Sequence, residues 1–452
     1  MTATPVGLDY RRAVRALEER GRFGVRLGLG RTRALLDALG HPERTVRGAL
    51  VAGTNGKGSV LALADSALRA AGYRVGSTPK PHLVSYRERI EVDGRPIDPE
   101  DFSRLAERVL EVSDSVARRH GQPTEFELLT AVVFARFAEV RPDVALVEVG
   151  LGGRLDATHA WDGGVAVVTN VDLDHTDRLG DTVTAIAREK AAIIVRGDLA
   201  VTGASGDGLA VVRRRARRLG VPLTEVVPAS LLGWDRDGIE VELAGTGRTR
   251  VGLRGRHQAA NVAIADALLD ALETAGIAST PVAARRTGYA TAVWPGRLEL
   301  ITVDGRDVLL DGAHNPAGAA ALAIALDDLR PFLAEGPLTL ITASMADKDV
   351  DGVIAALDRA GAMAGATIVC TNVGLARAMD AIELAGHWRA RHPTATLLIE
   401  PDPIVAIDRA VGRSGAGNGP IVVAGSLYLV GAARGHLVDD PNLRDPDPSE
   451  DA

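Results

Sequence analysis

The stretch Gly48-Ala49-Leu50-Val51-Ala52-Gly53-Thr54-Asn55-Gly56-Lys57-Gly58-Ser59 runs from a short apolar segment into a glycine-rich turn, and a helical pattern follows near 58–71. The apolar segment reads as a buried strand. A glycine loop between a strand and a helix can wrap backbone N–H groups around phosphates, and the helix N-terminus adds a favourable dipole. Lys57 would neutralise the outer phosphates, and Ser59 could contact phosphate or Mg2+. The strict eight-residue phosphate-loop pattern is not met: its first glycine would fall at Val51, and Gly58 stands where Ser or Thr is expected. The stretch reads as a shortened variant of that loop, with an ordinary glycine turn as the alternative.

Working outward, the first half alternates apolar strand runs with helical patterns. Thr124 and Glu127 form a capping-box pattern opening an apolar helix at 125–140. Val144–Val149 and Val165–Thr169 read as buried strands, each followed by a polar, glycine-bearing loop. A helix near 182–195 carries Lys190. This alternation implies a mostly parallel sheet covered on both faces, with ligands gathering at the carboxyl ends of its strands. Gly238 to Leu253 is more antiparallel in character, with Gly245-Thr246-Gly247 as turn residues, and a helix near 258–275 follows. The segment Ala292-Val293-Trp294-Pro295-Gly296 reads as a linker. A second α/β rhythm then begins, with strands near 308–311, 338–342, 367–371, 396–399 and 420–424. The tail from Asp439 is acidic and proline-rich, and is expected to be disordered.

With 452 residues, two domains are the default expectation. The chain is 46% hydrophobic and 25% charged, with net charge −7, which gives no reason to expect nucleic acid or an anionic membrane as partner. No apolar run approaches the roughly 18 residues needed to span a bilayer, and the N-terminus reads as an amphipathic helix rather than a signal peptide. Cys370 is the single cysteine, so neither an internal disulfide nor a thiolate metal cluster is possible, which fits a reducing cytoplasm. The basic run Arg213–Arg218 lies in a helical pattern and reads as a solvated face. Of 52 basic residues only Lys57, Lys80, Lys190 and Lys348 are lysines. Arginine replaces lysine on a wet surface but not where a compact or titratable amine is needed, so these four are functional candidates.

Two further loops carry chemistry. In Glu148-Val149-Gly150-Leu151-Gly152-Gly153-Arg154-Leu155-Asp156 a carboxylate ends a buried strand and small residues follow, which suits a Mg2+ ligand or a water-holding acid; a buried, paired glutamate is the alternative. In Asn170-Val171-Asp172-Leu173-Asp174-His175-Thr176-Asp177 a histidine stands among carboxylates, able to hold metal or phosphate.

These motifs, with EKA at 189–191, WPGRLEL, LDGAHNPAG, ADKDVDG and AGSLYLVG in the second half, resemble the folylpolyglutamate synthase/dihydrofolate synthase family of the Mur ligase superfamily. They occur in family order over roughly residues 23–431. The resemblance implies an α/β chain: a P-loop ATPase domain with a mostly parallel sheet at 1–295, a smaller C-terminal Rossmann-like α/β domain at 296–437, and a disordered acidic tail at 438–452. It implies ATP and Mg2+, with ATP bound by Gly53, Thr54, Asn55, Gly56, Lys57, Gly58, Ser59, Asn261, Arg297 and Asp311. Mg2+ would be held by Ser59, Glu148, His175 and Lys190, the last matching a lysine that the family carbamylates. Lys57, Lys190 and His314 would be catalytic, and His257 and Gln258 match a segment near the nucleotide base. The activity implied is addition of L-glutamate to dihydropteroate or folates through an acyl phosphate, by a cytoplasmic monomer whose partners are small molecules, with no nucleic acid and no membrane.

One departure stands out. Where the family has a metal-binding Ser before Pro-His-Leu, this chain has Lys80. An ammonium cannot ligate a metal, and about 4 Å from Mg2+ its repulsion would be on the order of 8 kcal/mol at an effective dielectric near 20. Lys80 is expected to reach a phosphate or substrate carboxylate; the alternatives are that it turns to solvent, or that the site is degraded or serves another substrate. Rival functions are a superfamily ligase with a different acceptor and a nucleotide-binding regulatory protein without ligase activity.

Overall fold

The computed structural model describes residues 8–21, 28–412 and 419–446. It divides into two compact units. The first comprises residues 1–229, 260–291 and 442–452, and the second residues 230–259 and 292–441.

The first unit is built on an eight-stranded sheet. Its strands are β1 (Gly48–Ala52), β2 (Val75–Thr78), β3 (Glu91–Val92), β4 (Arg95–Pro96), β5 (Val144–Glu148), β6 (Gly164–Val168), β7 (Leu199–Thr202) and β8 (Leu223–Glu225), in the order β4-β3-β2-β5-β1-β6-β7-β8. All pairings are parallel except β2–β3 and β3–β4 at one edge. Every residue of β1 and β5 is buried, as a central parallel strand covered on both faces requires. The helix Glu125–Val140 opens with the expected capping box: Glu127 N–H donates to Thr124 Oγ1 (3.3 Å) and Thr124 N–H to Glu127 Oε2 (2.8 Å). It buries Phe134 and Phe137, whose rings meet edge to face at 6.4 Å, with Trp161 5.7 Å from Phe134. The helix Val282–Thr291 crosses Lys57–Ala70 so closely that a Cβ at Gly288 would lie 2.3 Å from the Ala67 Cα, so only glycine fits there.

The second unit carries a six-stranded sheet of β12 (Glu299–Val303), β13 (Arg306–Asp311), β14 (Thr339–Thr342), β15 (Thr367–Cys370), β16 (Thr396–Ile399) and β17 (Ile421–Ala424), ordered β12-β13-β17-β14-β15-β16. It is parallel apart from the edge strand β12. A small antiparallel sheet, β9 (Ser230–Asp235), β10 (Gly238–Leu243) and β11 (Gly247–Val251), belongs to the same unit.

The α/β class, the mostly parallel sheets and the strands foreseen in the second half are all present. Three placements differ from expectation. Residues 230–259, assigned by linear order to the first domain, cluster with the second: Trp234 donates to Asp328 O (3.2 Å), and the Arg256 guanidinium pairs with Asp328 at 2.6 Å. Strands β2, β3, β4, β7, β8, β9 and β12 were not foreseen. The acidic tail is ordered through Pro446: the buried Arg87 donates to Arg444 O (2.9 Å), Ser85 Oγ to Asp445 Oδ1 (2.6 Å), and Arg11 to Pro446 O (2.8 Å). Residues 447–452 of that tail lie outside the described residues.

Candidate active site

Three loops meet at the carboxyl ends of β1, β5 and β6. The loop 53–56 needs its glycines. Gly56 sits at φ +79° before the first helical residue, Lys57, and a Cβ there would lie 2.3 Å from Asn261 Oδ1. At Gly53 a Cβ would lie 1.8 Å from Thr169 Oγ1. The loop is laced to the segment after β6. Thr54 N–H donates to Asn170 O (3.1 Å) and Asn55 N–H to Asn170 Oδ1 (2.8 Å). Thr169 Oγ1 donates to Asn55 O (2.7 Å), and Asp172 N–H to Thr54 Oγ1 (3.0 Å). The result is a rigid strand-to-helix turn at the start of the Lys57–Ala70 helix, the geometry that presents N–H dipoles to phosphates. Gly58 and the buried Ser59 lie in the helix's first turn.

Three of the four lysines converge on this loop and on Glu148. Lys57 Nζ donates to Gly53 O (3.0 Å) and Thr54 O (3.2 Å), and stands 4.0 Å from Glu148 Oε1. Lys190, buried in the helix Val183–Ala191, donates from Nζ to the same Gly53 O at 2.9 Å. Burial, and after it the charge of Lys57, bring the Lys190 amine down to about 7. A substantial neutral fraction is therefore present at neutral pH, the form that can add CO2.

Glu148 is 4% exposed at the end of β5. Its Oε2 accepts from Lys80 N–H (3.0 Å), and its main-chain oxygen accepts from Lys80 Nζ (2.5 Å). The Lys80 ammonium lies 4.7 Å from the centre of the Phe126 ring. Burial draws it down to about 8, against the opposing pull of Asp156 and Glu148. In this structure the Lys80 side chain therefore turns inward rather than to solvent. A carbonyl and an aromatic face meet its charge inside the unit. The following loop is closed by buried Asp156, which accepts from Leu151 N–H (2.8 Å), Thr158 N–H (3.0 Å) and Thr158 Oγ1 (2.6 Å).

His175 follows β6 at φ +49°, with a half-exposed ring whose Nε2 is 3.9 Å from Asp174 Oδ2. Among the described residues, no three His, Cys, Asp or Glu side chains stand together as a metal cage. That arrangement still fits Mg2+, which keeps several waters and is usually held by one or two carboxylates plus substrate phosphates. The buried Glu148 carboxylate, beside a glycine-rich strand-to-helix turn, is such a donor.

In the second unit Asp311 ends β13, accepting from Leu298 N–H and Ala313 N–H, both at 2.9 Å. His314 Nδ1 donates to Gly312 O (2.8 Å). Arg297 packs on Gly312, where a Cβ would lie 1.9 Å from its Nη1. His257 is held neutral, first by burial and then by Arg297, with Asp311 opposing. Gln258 Nε2 is 3.2 Å from His257 Nε2. Arg297, Asp311, His314 and His257 thus share one strand end, while Asn261 belongs to the first unit, against Gly56.

Thr169 and Phe126 were not singled out from the sequence. Thr169 directly precedes the Asn170–Asp177 run at a strand's carboxyl end, a signal that could have found it. Phe126, inside an apolar helix, had none.

Residues 51–269 match the Mur ligase middle domain, and residues 297–434 match the dihydrofolate synthetase C-terminal domain. The chain is similar to dihydrofolate synthase/folylpolyglutamate synthase of Bacillus subtilis (strain 168), 33% identical over 443 residues, covering 95% of this chain and 99% of that one. It is similar in structure to Mycobacterium tuberculosis folylpolyglutamate synthase complexed with ADP and AMPPCP, with TM-score 0.82, 32% identity, and 96% and 100% of the two chains covered. It is also similar to bifunctional folylpolyglutamate synthase/dihydrofolate synthase from Yersinia pestis complexed with AMPPNP and Mn ion, with TM-score 0.79, 28% identity, and 95% and 98% covered.

Proposed function

This chain belongs to the dihydrofolate synthase/folylpolyglutamate synthase family of Mur ligases, as an ATP-dependent ligase of folate metabolism, and from that premise we propose how its residues divide the work of joining L-glutamate to dihydropteroate or a folate. The observation that carries the assignment is the convergence of Lys57 and Lys190 on Gly53 O, beside the Glu148 carboxylate and at a phosphate-binding turn.

A free carboxylate is a poor acylating agent. In the proposed reaction its oxygen attacks the γ-phosphorus of ATP, the bond to the β,γ-bridging oxygen breaks, and ADP leaves. The N–H groups of Gly56, Lys57 and Gly58 hold the phosphates, those of Thr54 and Asn55 being taken by Asn170. Lys57, released from its own loop carbonyls, follows the charge onto the transferred phosphoryl group. Mg2+, when bound, screens the phosphate oxygens and acts as a Lewis acid toward the γ-phosphoryl group; Glu148 with Ser59, His175 and carbamylated Lys190 would hold it. Carbamylation turns the Lys190 cation into an anion, matching a metal and relieving its repulsion with Lys57.

The neutral amine of glutamate then attacks the acyl carbon. Phosphate leaves with the oxygen that began in the acceptor carboxylate, and the amine's extra proton is lost. His314 is assigned to take that proton, and Arg297 and Asp311 to position nucleotide. The enzyme is read as a cytoplasmic monomer acting on small molecules.

Oxygen-18 in the acceptor carboxylate tests this chemistry. One labelled oxygen is expected in the released phosphate; label found only in the amide product would exclude the acyl phosphate.

A further inference from the structure

The turn after β1 gives up two of its donors within the protein itself. Thr54 N–H is spent on Asn170 O (3.1 Å) and Asn55 N–H on Asn170 Oδ1 (2.8 Å). A turn that holds phosphates gains from every N–H it can aim at them, so a side chain that removes one calls for a reason. The chemistry of that side chain supplies it. Asn55 N–H can only donate, so the group facing it is the carboxamide oxygen, and the Asn170 NH2 lies on the other side of the same planar group. Among the described residues Nδ2 has no acceptor, and Asn170 is half-buried rather than enclosed. The carboxamide is also held in place from its neighbours. Thr169 Oγ1 donates to Asn55 O (2.7 Å), and Asp172 N–H to Thr54 Oγ1 (3.0 Å).

The residue type is specific. From 170 to 177 the segment carries the carboxylates Asp172, Asp174 and Asp177, yet the side chain that touches the turn is an amide. Aspartate would accept from Asn55 N–H equally well, but it would return no donor and would set a full negative charge beside the phosphates. The amide takes one donor from the turn and offers two.

We infer that Asn170 is a phosphate-binding residue of the nucleotide site, its Nδ2 donating to a β- or γ-phosphate oxygen of ATP while its Oδ1 holds the turn. The inference rests on the reading of the turn after β1 as the phosphate holder. A tether alone makes a different prediction. Asn170→Asp keeps the oxygen that accepts from Asn55, so a tether survives the change and a phosphate donor does not.

The test is equilibrium titration of the full chain with ATP and with AMP, for wild type, Asn170→Asp, Asn170→Ala and Lys57→Ala. A chelator is present throughout, so that no metal is drawn to the new carboxylate. Asn170→Asp is expected to weaken ATP binding about tenfold or more, as loss of a hydrogen bond to a charged group does. AMP, which lacks the outer phosphates, should bind the variant as it binds wild type. Wild-type affinity for ATP in Asn170→Asp overturns the inference and leaves Asn170 a tether. An equal loss for ATP and AMP overturns it too, because the whole site is then disturbed. Should Asn170→Asp fail to fold, Asn170→Ala is judged by the same comparison of ATP with AMP. If Lys57→Ala also leaves ATP binding unchanged, the phosphate reading of the turn itself fails; if it weakens ATP while Asn170→Asp does not, only the role of Asn170 is lost.

Discussion

Lys190 Nζ donates to the main-chain oxygen of Gly53 at 2.9 Å, across 137 positions of sequence. Lys57 Nζ donates to the same oxygen at 3.0 Å. Two ammonium groups on one carbonyl repel each other, and that arrangement favours any change that removes a proton or adds a negative charge at Lys190. Carbamylation does both, because the neutral amine adds CO2 to give a carbamate anion and release a proton.

Lys190→Arg is therefore expected to fail where many Lys-to-Arg changes on the surface succeed. Arginine keeps the charge and cannot form a carbamate. Steady-state turnover should fall by about 100-fold, while binding of metal-free ATP analogue changes little. Intact-protein mass spectrometry of a CO2-trapped sample should show the added mass in wild type and not in the variant. Wild-type activity in the Arg variant would remove Lys190 from the mechanism.

Stability should depend on pH through Glu91, opposite Ser77 in the β2–β3 pair. Burial, then the carboxylates of Asp65 and Glu88, push this acid from an ordinary value near 4.5 up to about 8, with Arg69 opposing. The folded chain thus holds this proton more tightly than the unfolded chain. Its contribution is complete below the unfolded value near 4.5 and is lost as pH rises through about 8. Glu91→Gln, which cannot ionise, should gain stability relative to wild type as pH rises from 5 to 9. Denaturant midpoints of both proteins across that range check it; a constant difference would contradict it.

Glu127 is 3% exposed and carries two jobs: it closes the cap with Thr124 and pairs with Arg31 at 2.9 Å. Removing the carboxylate breaks the ion pair and the cap together. Thr124→Ala is expected to cost about 1 kcal/mol, the usual cost of a lost cap, and Glu127→Ala more than that, because it loses the cap and the ion pair with Arg31 as well. Urea unfolding of both variants should reproduce that ranking.

The C-terminal segment should matter to the first unit. Arg87, 4% exposed, spends one N–H on Ile97 O (3.2 Å) and another on Arg444 O (2.9 Å). Ending the chain at Pro441 would strand that donor and release Ser85 from Asp445. A loss of about 1–3 kcal/mol is expected, read as a lower thermal midpoint.

Much of this was legible in the sequence, for identifiable reasons. The 48–59 stretch announced its strand, turn and helix because a tight strand-to-helix turn needs glycines where its backbone is strained or closely approached, and Gly53 and Gly56 meet that need. Thr124 and Glu127 announced their cap because the bonds are local. What was hidden depends on partners far away in the chain. β9 and the 230–259 segment pack with a unit that otherwise begins at residue 292, a choice made by contacts such as Arg256 with Asp328 rather than by local pattern. The tail reads as disordered by composition, yet a buried arginine 357 positions earlier holds Arg444. Lys80 was visible as a departure, but its inward turn depends on the Glu148 carbonyl and the Phe126 ring, neither of which its neighbours in sequence reveal.

The most direct measurement is phosphate release by the purified protein with ATP and Mg2+, supplied with 7,8-dihydropteroate or a reduced folate, each with and without L-glutamate. Sustained turnover is expected only when acceptor and glutamate are both present, and it should be lost in Lys57→Ala. Turnover indifferent to either substrate, or none with any pterin while ATP still binds, would contradict the assignment of this site to folate glutamylation.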